Sequence, residues 1–356
     1  MGRTRTYLDH NATAPLRTEA RAAMLAALDV TGNPSSVHGE GRAAKAVVER
    51  ARAQVAEGVG CTPDEVIFTS GATEAASVLS HMQEVFVAPT AHDALWAHDA
   101  TAGRPSGTAR VFAMGLANSE TGVITQPPER VEGRWPVAAG ADAELLLLDI
   151  TQAVGRVPFA FGWSGADLAL LASHKIGGPK GVGALIVREG LDIPPVSVGG
   201  GQEMSRRSGT ENVAGIAGFG AAMAAAQRDL AEGRWAPVEK LRNILESTLE
   251  AAAPETKFFG QESERLPNTS CFAMAGWKGE TQVMAMDLAG YAVSAGSACS
   301  SGKVRPSRVL AAMGADEETA RSAIRVSLGL ETTEEEVMGF AEAWIRTYQR
   351  WRQRAA

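Results

Sequence analysis

The sequence predicts an α/β protein in two domains, a large one with a mainly parallel sheet covered by helices and a smaller α+β one. Three observations lead there. Short apolar runs alternate with Ala-rich helical stretches as far as Val187, the pattern of strands joined by crossover helices. After Gly201 the pattern changes to long helices, and then to short strands mixed with helices. A chain of 356 residues, 45% hydrophobic and 21% charged, is long enough to bury more than one core.

Taken in order, Thr6-Tyr7-Leu8 is a short strand expected to belong with the smaller domain. Apolar residues at helical spacing from Thr18 to Val30 end at the stop signal Thr31-Gly32-Asn33-Pro34, and a second helix rich in Ala, Arg and Glu spans Gly41 to Gly58. The buried strand Glu65 to Thr69 runs into Ser70-Gly71-Ala72-Thr73-Glu74 and another helical stretch, giving a strand–turn–helix unit. Glu84 to Ala88, Ala109 to Met114, Glu144 to Ile150, Asp167 to Ala172 and Gly183 to Val187 are further strands bounded by Gly, Pro or polar residues. Helices follow over Asn212 to Ala231 and Ala236 to Ala252. Strands at Asn268 to Phe272 and Ala323 to Ser327 then mix with helices near Thr281 to Ala289, Pro306 to Met313 and Thr333 to Trp351. The large domain is expected over 15–240, and the small one over 1–14 and 241–356.

Composition narrows the function. Thirty-four Lys and Arg against 41 Asp and Glu leave a net charge of -7, which offers no field for nucleic acid or an anionic membrane. No stretch approaches the ~18–20 apolar residues of a membrane span, and MGRTRTYLDHNATAP lacks the apolar core of a signal peptide, so a cytoplasmic location is expected. Cys61, Cys271 and Cys299 are odd in number and far apart, which fits a reducing compartment and neither a disulfide framework nor a Cys-x-x-Cys site. His10, His38, His81 and His98 lack metal-ligand spacing, and no metal is expected.

Several residues can carry chemistry. Lys175, in Ser173-His174-Lys175-Ile176-Gly177-Gly178-Pro179-Lys180-Gly181, stands just past a strand end, where open α/β sheets bind ligands. It could form a Schiff base with the aldehyde of pyridoxal phosphate (PLP), although spacing alone favours a solvated loop lysine. Asp149 closes the run Leu145 to Leu148, with Gln152 one helical turn on; a carboxylate there suits a protonated pyridine nitrogen, or a helix cap. Ser70-Gly71-Ala72-Thr73 offers N–H groups and a hydroxyl to a phosphate, or is only a turn. Ser208-Gly209-Thr210, after Arg206 and Arg207, suits the same phosphate from a second subunit, or a surface loop. Ser294 to Gly302 is built of small residues around Cys299 and reads as a mobile loop presenting a thiol, or an inert loop cysteine. Arg325 alternates with apolar residues, as a carboxylate clamp or on a solvent face. His92 is either a surface residue or a ring stacked on a flat cofactor.

Together, Tyr7 to Pro15, Asn33 to His38, Phe68 to Ala75, Ser173-His174-Lys175 with Gly178-Pro179-Lys180-Gly181, Arg207 to Thr210, and Gly296 to Gly302 resemble the cysteine desulfurases, in the branch with a long cysteine loop, of the class V aminotransferase superfamily. The resemblance implies a PLP enzyme of fold type I, a homodimer, which turns L-cysteine into L-alanine and leaves a persulfide on Cys299 for a sulfur-acceptor protein, with iron–sulfur cluster assembly as a destination. By that likeness Lys175 holds the cofactor and moves protons, and Asp149 pairs with the ring nitrogen. Gln152 bonds the ring hydroxyl, and His92 stacks on the ring and shares in catalysis. Ala72, Thr73, Ser173, His174 and the second subunit's Thr210 surround the phosphate, Asn118 approaches the ring, and Asn33, Asn118 and Arg325 meet the substrate. Two departures stand out. Ala172 occupies the position, three places before Lys175, where the family usually has a serine, and the stretch from Thr73 to Asn118 is short for the family. Selenocysteine lysis, another class V reaction, or a catalytically silent partner in sulfur trafficking are the alternatives.

Overall fold

The computed structural model describes residues 5–99, 109–137, 140–295 and 306–355; Cys299 and its neighbours 296–305 lie outside these. The chain divides into two compact units, Ala14–Ala117 with Thr125–Glu232, and Met1–Thr13 with Asn118–Ile124 and Gly233–Ala356. The smaller unit thus takes in the short segment 118–124 from the middle of the chain.

Strand β1 (Thr6–Tyr7) belongs to the smaller unit. In the larger one, helices α1 (Thr18–Leu28) and α2 (Gly39–Val59) precede the sheet. The side chain of His38 caps α2 by accepting from Gly41 N, Gly60 ends it in a left-handed conformation, and Ala44, Val48, Ala51 and Val55 recur on its buried face. Then come β2 (Val66–Thr69), α3 (Ala72–Ala76), β3 (Glu84–Val87), α4 (Asp93–Trp96), β4 (Arg110–Gly115), the small pair β5 (Trp135–Pro136) and β6 (Asp142–Ala143), β7 (Leu145–Asp149), α5 (Phe161–Ser164), β8 (Leu168–Ala172), β9 (Gly183–Val187) and α6 (Val213–Ala231).

The main sheet has the order β2-β9-β8-β7-β4-β3. β3, β4, β7 and β8 pair in parallel, whereas β9 is antiparallel to both β8 and β2. One strand therefore runs against the rest. Its reversal follows from chain length, because residues 173–182 between β8 and β9 fall short of the dozen or so that a parallel crossover needs. Leu146, Leu147, Leu148, Leu168 and Leu170 are wholly buried, as expected for strands covered on both faces. α6 lies close against α2: a Cβ on Gly220 would come within 2.6 Å of the Ala51 Cα, so only glycine permits the approach.

The smaller unit continues with α7 (Trp235–Ala252), β10 (Lys257–Phe258), β11 (Thr269–Ala273), α8 (Gly279–Ala289), β12 (Tyr291–Ala292), β13 (Ser294–Ala295), α9 (Arg308–Ala312), α10 (Glu317–Arg321), β14 (Ala323–Ser327) and α11 (Glu334–Ala355). An antiparallel sheet of order β10-β11-β14-β13 forms one layer, and β1 pairs in parallel with β12. Leu8, Phe272, Trp277, Ile324, Phe340 and Trp344 make its core. The buried Trp344 N–H donates to Gln282 Oε1 at 2.9 Å, so this ring brings no unmet donor inside. Among the described residues no helix is long and apolar enough to cross a membrane.

Candidate active site

Two neighbouring parallel strands end together in the larger unit. β7 ends on Asp149, in register with Leu170 of β8, and a turn of 3-10 helix, Ser173–Ile176, follows β8 and carries His174 and Lys175. A carboxylate and an amine thus stand at the carboxyl ends of adjacent strands, the place where such sheets bind ligands. Asp149 is 9% exposed, and its Oδ1 accepts from Thr151 N at 2.9 Å, a local turn that aims the carboxylate. The Thr151 hydroxyl is buried and has no protein partner.

Arg156 ties the two strand ends together. It donates to Gln152 Oε1 and, through Nη2, to the Lys175 carbonyl at 3.2 Å. The first bond fixes which end of the Gln152 amide is oxygen and so the direction of its NH2 group. No pattern in the sequence marked Arg156. His174 is half-buried, and burial, followed by the charges of Lys175 and Lys180, lowers its pKa to about 4, so the imidazole is neutral near pH 7. Ser173 follows directly on β8. Its hydroxyl is wholly buried, without a hydrogen-bond partner, and faces Gly178, where a Cβ would come within 2.0 Å of the oxygen.

β2 leads into Ser70-Gly71-Ala72-Thr73, and α3 packs on β8 and β9. A Cβ on Gly71 would meet nothing within 4 Å, so the turn faces open space. Glu74 holds the turn from behind, accepting from Ser70 N with one oxygen and from Arg207 Nε at 2.9 Å with the other. Burial pushes the Glu74 carboxyl up, but the bonds from Arg207 and Ser70 outweigh it and hold the group below the usual carboxylate range. Thr210 and Gly209 are exposed in this chain. His92 is the cap of α4, its Nδ1 accepting from Ala94 N at 3.1 Å, which puts the proton of the neutral ring on Nε2. Asn33 is exposed between α1 and α2, and its Oδ1 accepts from Ser35 N.

In the smaller unit Arg325 is only 6% exposed, which removes the solvent-face alternative for its strand. Its Nη2 lies 2.6 Å from Asp9 Oδ1 and its Nη1 donates to the Ser119 carbonyl at 3.0 Å, while Nε is buried without a partner. Asp9 appeared in the sequence only as part of a motif, with no role. Asn118 Oδ1 accepts from the N–H groups of Glu120 and Thr121, both at 2.9 Å, and shapes its own loop. Of the cysteines, Cys271 is wholly inside β11, where burial and then Glu120 push its thiol far up. Cys61 is pushed up to about 12 by burial and then by Glu65. Neither offers a thiolate at neutral pH.

A sheet of this order, with lysine and aspartate at adjacent strand ends, has the architecture of the PLP-dependent transferases of fold type I. The family described as "Aminotransferase class-V" matches residues 6–93 and 83–340. The chain is 39% identical to a cysteine desulfurase of Cereibacter sphaeroides, over 94% of this chain and 93% of that protein. It is also 39% identical to one from Frankia sp., over 97% and 92%. Its structure is similar to that of a NifS-like protein from Rickettsia africae, with a TM-score of 0.84 and 30% identity over 97% and 99% of the two chains. The chain belongs to the class V aminotransferase family and, within it, to the cysteine desulfurases.

Proposed function

We propose that the chain converts L-cysteine to L-alanine with PLP as cofactor and hands the sulfur to Cys299 as a persulfide. The residues present fit that cofactor: an amine and a buried carboxylate at adjacent strand ends, an oriented amide beside them, and open space over Gly71 for a phosphate. The placement of Asp149 and Lys175 at the carboxyl ends of the neighbouring strands β7 and β8 is the observation that carries the reading. When bound, PLP supplies an electron sink for the substrate Cα.

The chain's own groups do the rest. Asp149 would hold a proton at the ring nitrogen and Gln152 would donate to the ring hydroxyl. Lys175 Nζ would hold the cofactor at rest and take the Cα proton from the substrate. His92, with its proton on Nε2, would lie against the ring and supply a proton as the product forms. The N–H groups of Ala72 and Thr73, Ser173, neutral His174 and Thr210 of a second copy would surround the phosphate. Arg325 and Asn118, with Asn33, would receive the amino acid. In the transfer step the thiolate of Cys299 bonds to the substrate sulfur as the substrate C–S bond breaks. Its electron pair stays with the carbon fragment, which takes up protons and leaves as alanine. Cys61, half-buried, and Cys271, wholly buried, are both protonated and do not compete. A homodimer and a sulfur-accepting protein complete the reading.

Purified protein given cysteine and a reductant should show the absorbance of a bound cofactor and release alanine and sulfide in equal amounts. Full sulfide release from Cys299→Ser would overturn the transfer step. Absence of bound cofactor would favour the silent homologue, and alanine from selenocysteine but not from cysteine would favour the lyase.

A further inference from the structure

Between β9 and α6 the backbone makes an unusual turn: Glu203, Met204 and Ser205, none of them glycine, have φ values of 48°, 56° and 63°. The left-handed region is costly for L-residues, and three in succession persist only where the surroundings over-determine them. Glu203 does this. It is 4% exposed, and its carboxylate takes both terminal nitrogens of Arg52, at 2.7 and 2.8 Å, and the N–H of Phe68 at 2.8 Å. Arg52, 5% exposed on α2, also donates to the Val66 carbonyl at 2.7 Å, and its guanidinium lies 4.9 Å from the centre of the Phe68 ring. The clamp therefore fastens the left-handed turn to β2, the edge strand that leads into Ser70–Thr73.

The chain beyond the turn is fastened as well. Gln202 Oε1 accepts from Gly209 N at 2.9 Å, the Ser197 carbonyl accepts from Ser208 N at 3.0 Å, and Arg207 reaches Glu74. Gly209 and Thr210 nonetheless remain exposed. The turn itself is at the surface, with Met204 and Ser205 exposed, but it is anchored by the one buried carboxylate of Glu203, and a strained turn anchored in this way beneath an exposed tip suits a tip that must meet something outside its own chain.

We propose that Arg52 and Glu203 are positioning residues that hold the left-handed turn so that the Thr210 hydroxyl is presented, already ordered, to the cofactor phosphate in a second copy of the chain. The proposal rests on the role given above to Thr210. Arg52 and Glu203 act through each other, Phe68 N and the Val66 carbonyl, so the effect is read as PLP affinity and not as turnover.

Cofactor-stripped protein is titrated with PLP for the wild type, Thr210→Val, Glu203→Gln and the double variant. Each single change should weaken binding about tenfold, the size of one hydrogen bond to a charged group, and the double variant should be no weaker than either single one. Unchanged affinity in Thr210→Val sinks the role of Thr210 itself. Weakened binding in Thr210→Val with wild-type affinity in Glu203→Gln, or with losses that multiply, leaves that role standing and overturns the positioning. Mixed dimers locate the effect. A chain carrying both Lys175→Ala and Glu203→Gln, paired with a wild-type chain, should weaken the wild-type chain's site; Glu203→Gln paired with Lys175→Ala should leave the intact lysine site at full affinity. The reverse pattern overturns the cross-subunit action. Should Glu203→Gln not fold, Arg52→Lys, which keeps the charge but loses the two-pronged geometry, goes through the same cycle, and failure of both to fold makes the pair a requirement of the fold and ends the proposal.

Discussion

Asp9 Oδ1 lies 2.6 Å from Arg325 Nη2, and the other Asp9 oxygen accepts from Ser294 Oγ at 2.7 Å. The guanidinium proposed to meet a substrate carboxylate thus already has a carboxylate partner within the smaller unit. Its side chain is 7% exposed and that of Asp9 15%, so removing one charge strands the other in a poorly solvated place. Asp9→Asn should cost on the order of 3 kcal/mol in urea unfolding. Arg325→Lys keeps the charge opposite Asp9 but loses the planar fork, and should raise the KM for cysteine about tenfold or more with a smaller change in kcat. An unchanged KM would remove Arg325 from the substrate site.

Asp149 is the partner assigned to the ring nitrogen, and its Oδ1 is fixed by Thr151 N. Asparagine preserves the shape and the local turn but cannot stabilise a proton on that nitrogen by charge. Asp149→Asn should therefore retain cofactor yet release sulfide roughly a hundredfold more slowly, the worth of a strong charge-assisted bond. Wild-type kcat in this variant would defeat the assignment.

Burial sets His174 to about 4, below its ordinary 6.5. The sign follows from proton counting. Above about pH 6.5 the ring is neutral in both folded and unfolded chains, and the shift contributes nothing. Between about 6.5 and 4 only the unfolded chain gains the proton, so stability falls as pH falls. In cofactor-stripped protein the melting temperature should drop through this window, and His174→Gln should flatten that part of the profile.

Much of the site could be read in the sequence because its signals are local. Asp149 and Lys175 each follow an apolar run, and a residue just past a strand end has its position set by a few neighbours. The reversal of β9 cannot be read from Gly183 to Val187, which reads alike in either direction; its signal is the short connection 173–182, which the alternation of strands and helices overshadows. The Arg52–Glu203 clamp joins residues 151 positions apart, and no spacing rule reaches that far. The left-handed turn at 203–205 was hidden for a related reason: glycine would have announced it, and the chain instead holds Glu, Met and Ser there by side-chain bonds made elsewhere. Arg156 and Asp9 were missed because their partners, the Lys175 carbonyl and Arg325, come near only after folding.

The three cysteines should separate chemically. Burial raises the thiols of Cys61 and Cys271, the first to about 12, so at pH 8 both are protonated, and thiol alkylation of the folded protein should modify one cysteine. Mass mapping should find the label on Cys299, and prior exposure to cysteine should block it with added sulfur. Cys61→Ser and Cys271→Ala should leave sulfide release near the wild-type rate. The same burial makes a stability forecast with the opposite sign to that of His174. Below about pH 9 these thiols are neutral whether the chain is folded or not; above it only the unfolded chain ionises, so stability should decline as pH rises from about 9 toward 12, and Cys61→Ser should lessen the decline. Rapid alkylation of Cys61 or Cys271 in the folded protein at pH 8 would mean that these side chains open to solvent, and would remove the grounds for placing the sulfur on Cys299.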